Sequence, residues 1–227
     1  MLDFLRAYNR PQNYKAEIRV EVRNMAKNKG KATLVIPMPR STEYQKIYPV
    51  FKESILTFDL KLRGGENKII SLPFKARVLP RRYTGKINPE IIHANDFVIG
   101  YLTYGNPIDG LYSADEAREK RIVDCGGFDA LMQDELKKSG IHSDIIAGFW
   151  NSGKMHAWLE IDGKIPADPS VEYLKKYGKT KKSGRLGFVG SDRITFSIGE
   201  PFLQHPYLVV EPLSTIIYEK HFYCARA

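Results

Sequence analysis

The chain has 227 residues, of which 43% are hydrophobic and 27% charged, and it carries a formal net charge of +9. These proportions are ordinary for a globular chain of one large or two small domains, and they supply a core with no need of disulfide or metal staples. Two cysteines, Cys125 and Cys224, make neither a disulfide framework nor a four-cysteine zinc site, a usage that suits a reducing compartment.

The opening Met1-Leu2-Asp3-Phe4-Leu5-Arg6 has an early acid and no apolar run of a secretory leader. No stretch approaches the roughly 18 apolar residues of a membrane span. The expected location is therefore the cytoplasm, with no membrane partner. Most lysines are spread along the chain as a solvated face. One cluster, Lys175, Lys176, Lys179, Lys181, Lys182 and Arg185, contains no acid and reads as a flexible exposed loop between Gly178 and Gly184. No zinc-finger, helix-turn-helix or RNP-type pattern accompanies it, so a nucleic-acid partner is not expected.

The first eighty residues read as β-structure. Ala16 to Arg23 alternates apolar and polar residues at period two, and Ala32 to Ile36 follows after a turn-forming stretch. Ile55 to Leu62 alternates again, and Lys68 to Leu72 and Lys75 to Leu79 complete a small antiparallel sheet or sandwich. Residues 80 to 90 read as a linker, which divides the chain into a β-rich unit at 1–85 and a second unit at 86–227. Beyond it, Ser113-Ala114-Asp115-Glu116 is a capping box that starts a short helix. Phe128, Leu131, Met132 and Leu136 then set a helical stripe that begins near Cys125 and stops at Gly140. Strands are predicted at Ile145 to Trp150, Met155 to Glu160, Ile194 to Ile198, Leu208 to Glu211 and Ile216 to Phe222. The predicted class is α+β.

Three polar residues fall at chemically telling places. Cys125 opens the predicted helix, where unpaired N–H groups and the helix dipole lower a thiol's pKa and offer part of an oxyanion hole. Gly126 and Gly127 would leave room for a substrate. A free cysteine is also commonly a small buried hydrophobe, and Cys224 is read only that way. His156 shares a strand face with Trp158 and Glu160, the polar face of that strand. Asp168 reaches it if the following hairpin has a three-residue loop of Ile161, Asp162 and Gly163. Glu160 then pairs with Lys164 and Asp168 lies opposite His156. A two-residue Asp162-Gly163 turn would instead set Asp168 opposite Ala157, facing away.

The blocks Asp124-Cys125-Gly126-Gly127-Phe128-Asp129-Ala130-Leu131, Met155-His156-Ala157-Trp158-Leu159-Glu160 and Pro166-Ala167-Asp168-Pro169-Ser170, in this order, resemble the transglutaminase-like superfamily. Ser139-Gly140-Ile141, Ala147-Gly148-Phe149 and the run Asp192 to Gly199 also fit. The resemblance covers roughly Asn95 to Gly199. It implies a papain-like core in which a cysteine at a helix N-terminus packs on an antiparallel sheet carrying a histidine and then an aspartate. It also implies Cys125 as nucleophile, His156 as general base and then acid, and Asp168 as the group that orients the imidazole. Val123 stands where members often carry glycine, which suggests a narrower approach to the sulfur. Tyr104 and Asn106 are candidates for a second oxyanion donor.

The expectation is acyl transfer from a peptide or protein amide through a thioester, without a cofactor or calcium site. The acceptor is water in a protease or amidase and an amine in a transglutaminase. A binding or scaffold domain that uses the basic loop for partner contact is the alternative. A metal held by Cys125, His156 and Asp168 is a third reading. Oligomeric state is not readable from these residues.

Overall fold

The computed structural model describes residues 8–105, 113–199, 206–211 and 215–227. Its N-terminal strands follow the period-two pattern. In β1 (Gln12–Asn24), Ala16, Ile18, Val20 and Val22 point inward while the alternate residues are more open. β2 (Gly30–Pro37), β3 (Gln45–Tyr48), β4 (Ile55–Leu62) and β5 (Asn67–Val78) complete the set. β5 runs unbroken through Pro73, where a break was expected. It pairs with β3 only from Lys75 to Val78, so at Pro73 it has β1 alone beside it, and a proline is tolerated where one flank of a strand is open.

The residues read as a linker are structured. Arg81–Arg82 forms the short β6, and a helix α1 (Pro89–Tyr101) starts at the N-cap Asn88. Ile91, Ala94, Asn95, Val98 and Ile99 make its buried stripe, while the exposed Ile92 and Phe97 blur the pattern in sequence. β7 (Thr103–Tyr104) lies parallel to β8 (Ile122–Val123), and between them runs α2 (Ala114–Lys120) behind its Ser113–Glu116 capping box.

α3 (Cys125–Lys138) follows, capped by Asp124 and ended by Gly140 at φ 71°. Its Phe128, Leu131, Met132 and Leu136 are fully buried, each worth roughly 1.5–3 kcal/mol of transfer free energy. The chain continues through β9 (Ser143–Trp150), β10 (Met155–Ile161), β11 (Ile165–Ala167), α4 (Pro169–Lys176), β12 (Gly184–Arg185), β13 (Phe188–Val189), β14 (Arg193–Ile198), β15 (Tyr207–Val210) and β16 (Ile216–Arg226).

The architecture is α+β. One sheet has the order β16-β1-β5-β3 and faces a second of order β15-β2-β4. β15 and β16 lie by sequence in the second expected unit, yet by pairing they complete the sheets of the first. A third sheet, β11-β10-β9-β14, carries the helices on one face through Leu159, Ile161, Ile165 and Ala167. Its Phe149, Ile194 and Phe196 join the core of the two N-terminal sheets. Phe222 of β16 seals that junction, stacked 5.1 Å from Phe149 and 5.4 Å from Phe196. Phe222→Ala is expected to lower the unfolding free energy by about 3–5 kcal/mol in a urea titration, and a loss below about 1 kcal/mol would contradict this packing.

Candidate active site

Asp168 ends β11 and caps α4. Its Oδ1 accepts from the Val171 amide and the Ser170 hydroxyl, each at 3.0 Å. Its Oδ2 accepts from His156 Nε2 at 2.9 Å and from Arg193 at 2.5 Å. The carboxylate is completely buried. Burial alone would raise its pKa, but the interactions with His156 and Arg193, hydrogen bonds included, outweigh it and hold the group well below the usual carboxylate range. Gly184 packs against this carboxylate so closely that a Cβ there would sit 2.6 Å from Oδ2.

The hairpin that brings the two groups together differs from the expected one. Asp162 and Gly163 both have positive φ, 49° and 65°, and the Lys164 amide donates to the Ile161 carbonyl, as in a type I′ turn. One extra residue then shifts the pairing to Ile161 with Ile165, Glu160 with Pro166 and Leu159 with Ala167. The loop has three residues, Asp162, Gly163 and Lys164, rather than Ile161, Asp162 and Gly163. Asp168 therefore projects on the face of Trp158 and His156, diagonal to His156 rather than opposite it, and the strand end closes the gap.

The face of β10 that bears His156 is not a polar surface. The imidazole is only 5% exposed. It stacks on Trp150 with ring centroids 4.3 Å apart and lies 5.9 Å from the Trp158 ring. Arg193 in turn covers both indoles, 3.9 Å from the Trp150 centroid. Burial lowers the His156 pKa against the opposing pull of Asp168, so the ring is neutral at rest. With Nε2 bound to Asp168, Nδ1 is the ring nitrogen left to act elsewhere.

Cys125 stands at the first position of α3, as expected, with the Ala157 amide near enough to act favourably on its sulfur. The strand neighbour of His156 thus meets the thiol. The residue keeps partial exposure, but its thiol pKa is raised rather than lowered. Desolvation is the largest cause, with Asp124, Asp129 and Asp168 adding to it, and the helix terminus does not prevail. Cys224 is also pushed up, to about 12, by burial alone. Gly127 serves packing rather than access, since a Cβ there would lie 2.5 Å from Val123. Val123 is fully buried in the helical core.

Tyr104, paired with Val123 across β7 and β8, is held protonated by burial and by the nearby Cys125, Asp124, Asp168 and Asp129. Asn106 lies outside the described residues. The basic cluster is not a free loop. Lys175 and Lys176 end α4, Lys175 reaches the Gly184 carbonyl, and Lys182 lies over Trp150 and bonds Asn151. Ser183 is tied down by Asp192 and Arg193. Lys176, Lys179, Lys181 and Arg185 remain exposed. Arg193, Asp192, Trp150 and Asp129 were not singled out from sequence, although the Asp192-Arg193 pair stands at the entry to a strand with apolar residues at Ile194, Phe196 and Ile198. Among the described residues no group of three or more His, Cys, Asp or Glu is placed to hold a metal ion. No helix among them is long and apolar enough to cross a membrane.

No protein-family model matches the chain, and no curated protein matches it significantly. The fold is similar to a crystal structure from Cytophaga hutchinsonii described as a candidate cysteine protease. The TM-score is 0.64 at 13% identity, over 95% of this chain and 91% of that one. The chain thus has a cysteine-protease-like fold.

The two depressed pKa values fix a sign. A native state that binds fewer protons than the unfolded chain loses stability as the pH falls. His156 should carry this loss below about pH 6.5, and Asp168 should add to it below about pH 4. Asp129, whose carboxyl is pushed upward, works in the opposite direction over the same range, so the His156 share is read as a difference: the urea midpoint of the parent relative to His156→Gln should fall between pH 7 and 5. A parent-to-variant difference independent of pH over this range would contradict the buried neutral imidazole.

Proposed function

We propose that the chain is a thiol enzyme of the transglutaminase-like type that acts on amide bonds by acyl transfer. The observation that carries this reading is the His156–Asp168 hydrogen bond, 2.9 Å long and wholly buried, in a ring whose neighbouring amide meets the Cys125 sulfur. Cys125 is the nucleophile, His156 the general base and then acid, and Asp168 the orienting carboxylate.

Because burial keeps the thiol protonated and the imidazole neutral, the resting pair is neutral and attack is general-base assisted. His156 Nδ1 takes the thiol proton as sulfur adds to the amide carbonyl, while Asp168 stabilises the imidazolium that forms. The tetrahedral oxyanion is met by the Cys125 backbone N–H at the start of α3 and by the Tyr104 hydroxyl, which burial keeps as a donor. The imidazolium returns its proton to the departing amine and leaves a thioester. Water or a second amine then cleaves the thioester with the ring again as base. A peptide or protein amide is the substrate class, in keeping with the protease-like neighbour.

The raised thiol favours a second reading, a silent scaffold with the exposed lysines of the 176–185 stretch as its contact surface. An electrophilic peptide library separates the two. On the acyl-transfer reading, adducts form on Cys125 of the parent and are absent from Cys125→Ala. His156→Ala slows them by on the order of 10²–10⁴-fold, and Tyr104→Phe by about 10²-fold with binding little changed. Slow labelling of Cys125 and Cys224 alike, indifferent to His156, would favour the scaffold.

A further inference from the structure

Asp129 lies four residues beyond Cys125 on α3, so the two side chains share one face of the helix a single turn apart. It is fully buried, and neither of its carboxyl oxygens has a hydrogen-bond partner among the described residues. The other buried carboxylates of the region are treated differently. Asp168 holds two donors on each oxygen, and Asp192 takes the Ser183 amide and Arg193. An ionised carboxylate without donors is far more costly to bury than a neutral one.

We propose that Asp129 is a neutral acid beside Cys125 at neutral pH and that, on ionising as the pH rises, it makes the thiol harder to deprotonate. Protonated, it leaves Cys125 free to pass its proton to His156. Ionised, it places a like charge next to the sulfur and holds the proton there. This rests on Cys125 being the nucleophile, and Asp129 acts through Cys125 rather than on substrate.

The surrounding charges favour this role. Asp124 comes from the cap of α3, Asp168 from the cap of α4, Tyr104 from β7 and Arg193 from β14. Arg193 is the one cation of this group, and it is already committed to Asp168 and Asp192. Burial first, then Asp168 and Asp124, push the Asp129 carboxyl well above its ordinary range. Its charge would bear on the thiol, for which it ranks directly after burial and Asp124. The dominant charges around the imidazole are Asp168, Arg193 and Asp192. Ionising Asp129 therefore penalises the thiolate more than it rewards the imidazolium. The proton of Asp129 exchanges with solvent, and the thiol proton goes to His156 in either case.

The test is the rate of Cys125 alkylation by iodoacetamide from pH 5 to 9, read by peptide mass spectrometry, in the parent, Asp129→Asn and Asp129→Ser. The profiles should coincide at the acid end and separate as the pH rises, with both variants labelling several-fold faster at the alkaline end. Superimposed profiles, or uniformly slower variants, would overturn the proposal. If neither variant folds, assigned ¹³C resonances of the parent's aspartate carboxyls decide it. An Asp129 still protonated at pH 7 supports the proposal, and one ionised there refutes it. His156-independent labelling of the parent would remove the functional reading and this inference together, whereas His156-dependent labelling with superimposed profiles removes the inference alone.

Discussion

A buried carboxylate must have its charge matched, and the local structure is arranged around doing so for Asp168. Its four donors come from the first turn of α4, from β10 through His156 and from β14 through Arg193. Arg193 extends the network to Asp192 and to the Ser183 carbonyl, so the segment after α4 is bound across the same site. Removing one partner of such a pair costs about 3–5 kcal/mol because the other is left uncompensated. The same network fixes the imidazole: with its edge on Asp168 and its face on Trp150, the ring has little freedom to turn.

The thiol poses a contest between two effects of its position. The start of α3 favours an anion, while desolvation and the flanking Asp124 and Asp129 oppose one. Desolvation has no fixed ceiling, whereas the helix dipole is worth at most about 2 kcal/mol in favourable geometry, and here desolvation wins. On the proposed reading, the Cys125–His156 pair rests uncharged beside the ionised Asp168 and separates charge only when a substrate engages it. Such a site is protected from adventitious oxidation, since the thiolate is the reactive species.

What could be read from sequence divides along local and non-local lines. Asp124, Cys125 and Gly140 mark the ends of α3 by local capping chemistry, and that helix lies where expected. The face parity of His156 and Asp168 was legible because Asp162-Gly163 restricts the hairpin to a few geometries, but the bulge at Lys164 that moved the register was not. Arg193 was invisible as a partner because 25 residues separate it from Asp168 and no pattern links them. α1 was hidden by Ile92 and Phe97 on its solvent face. The pairing of β16 with β1 joins opposite ends of the chain, which no window of sequence can report.

The central claim is that Asp168 holds His156 in one tautomer with its free nitrogen available to sulfur. The direct measurement is the ¹⁵N spectrum of the imidazole in the parent protein at neutral pH. The account requires a proton on Nε2, hydrogen-bonded to a carboxylate, and a bare Nδ1, with that state lost in Asp168→Asn. A proton resident on Nδ1, or an imidazole averaging freely between tautomers, would contradict it.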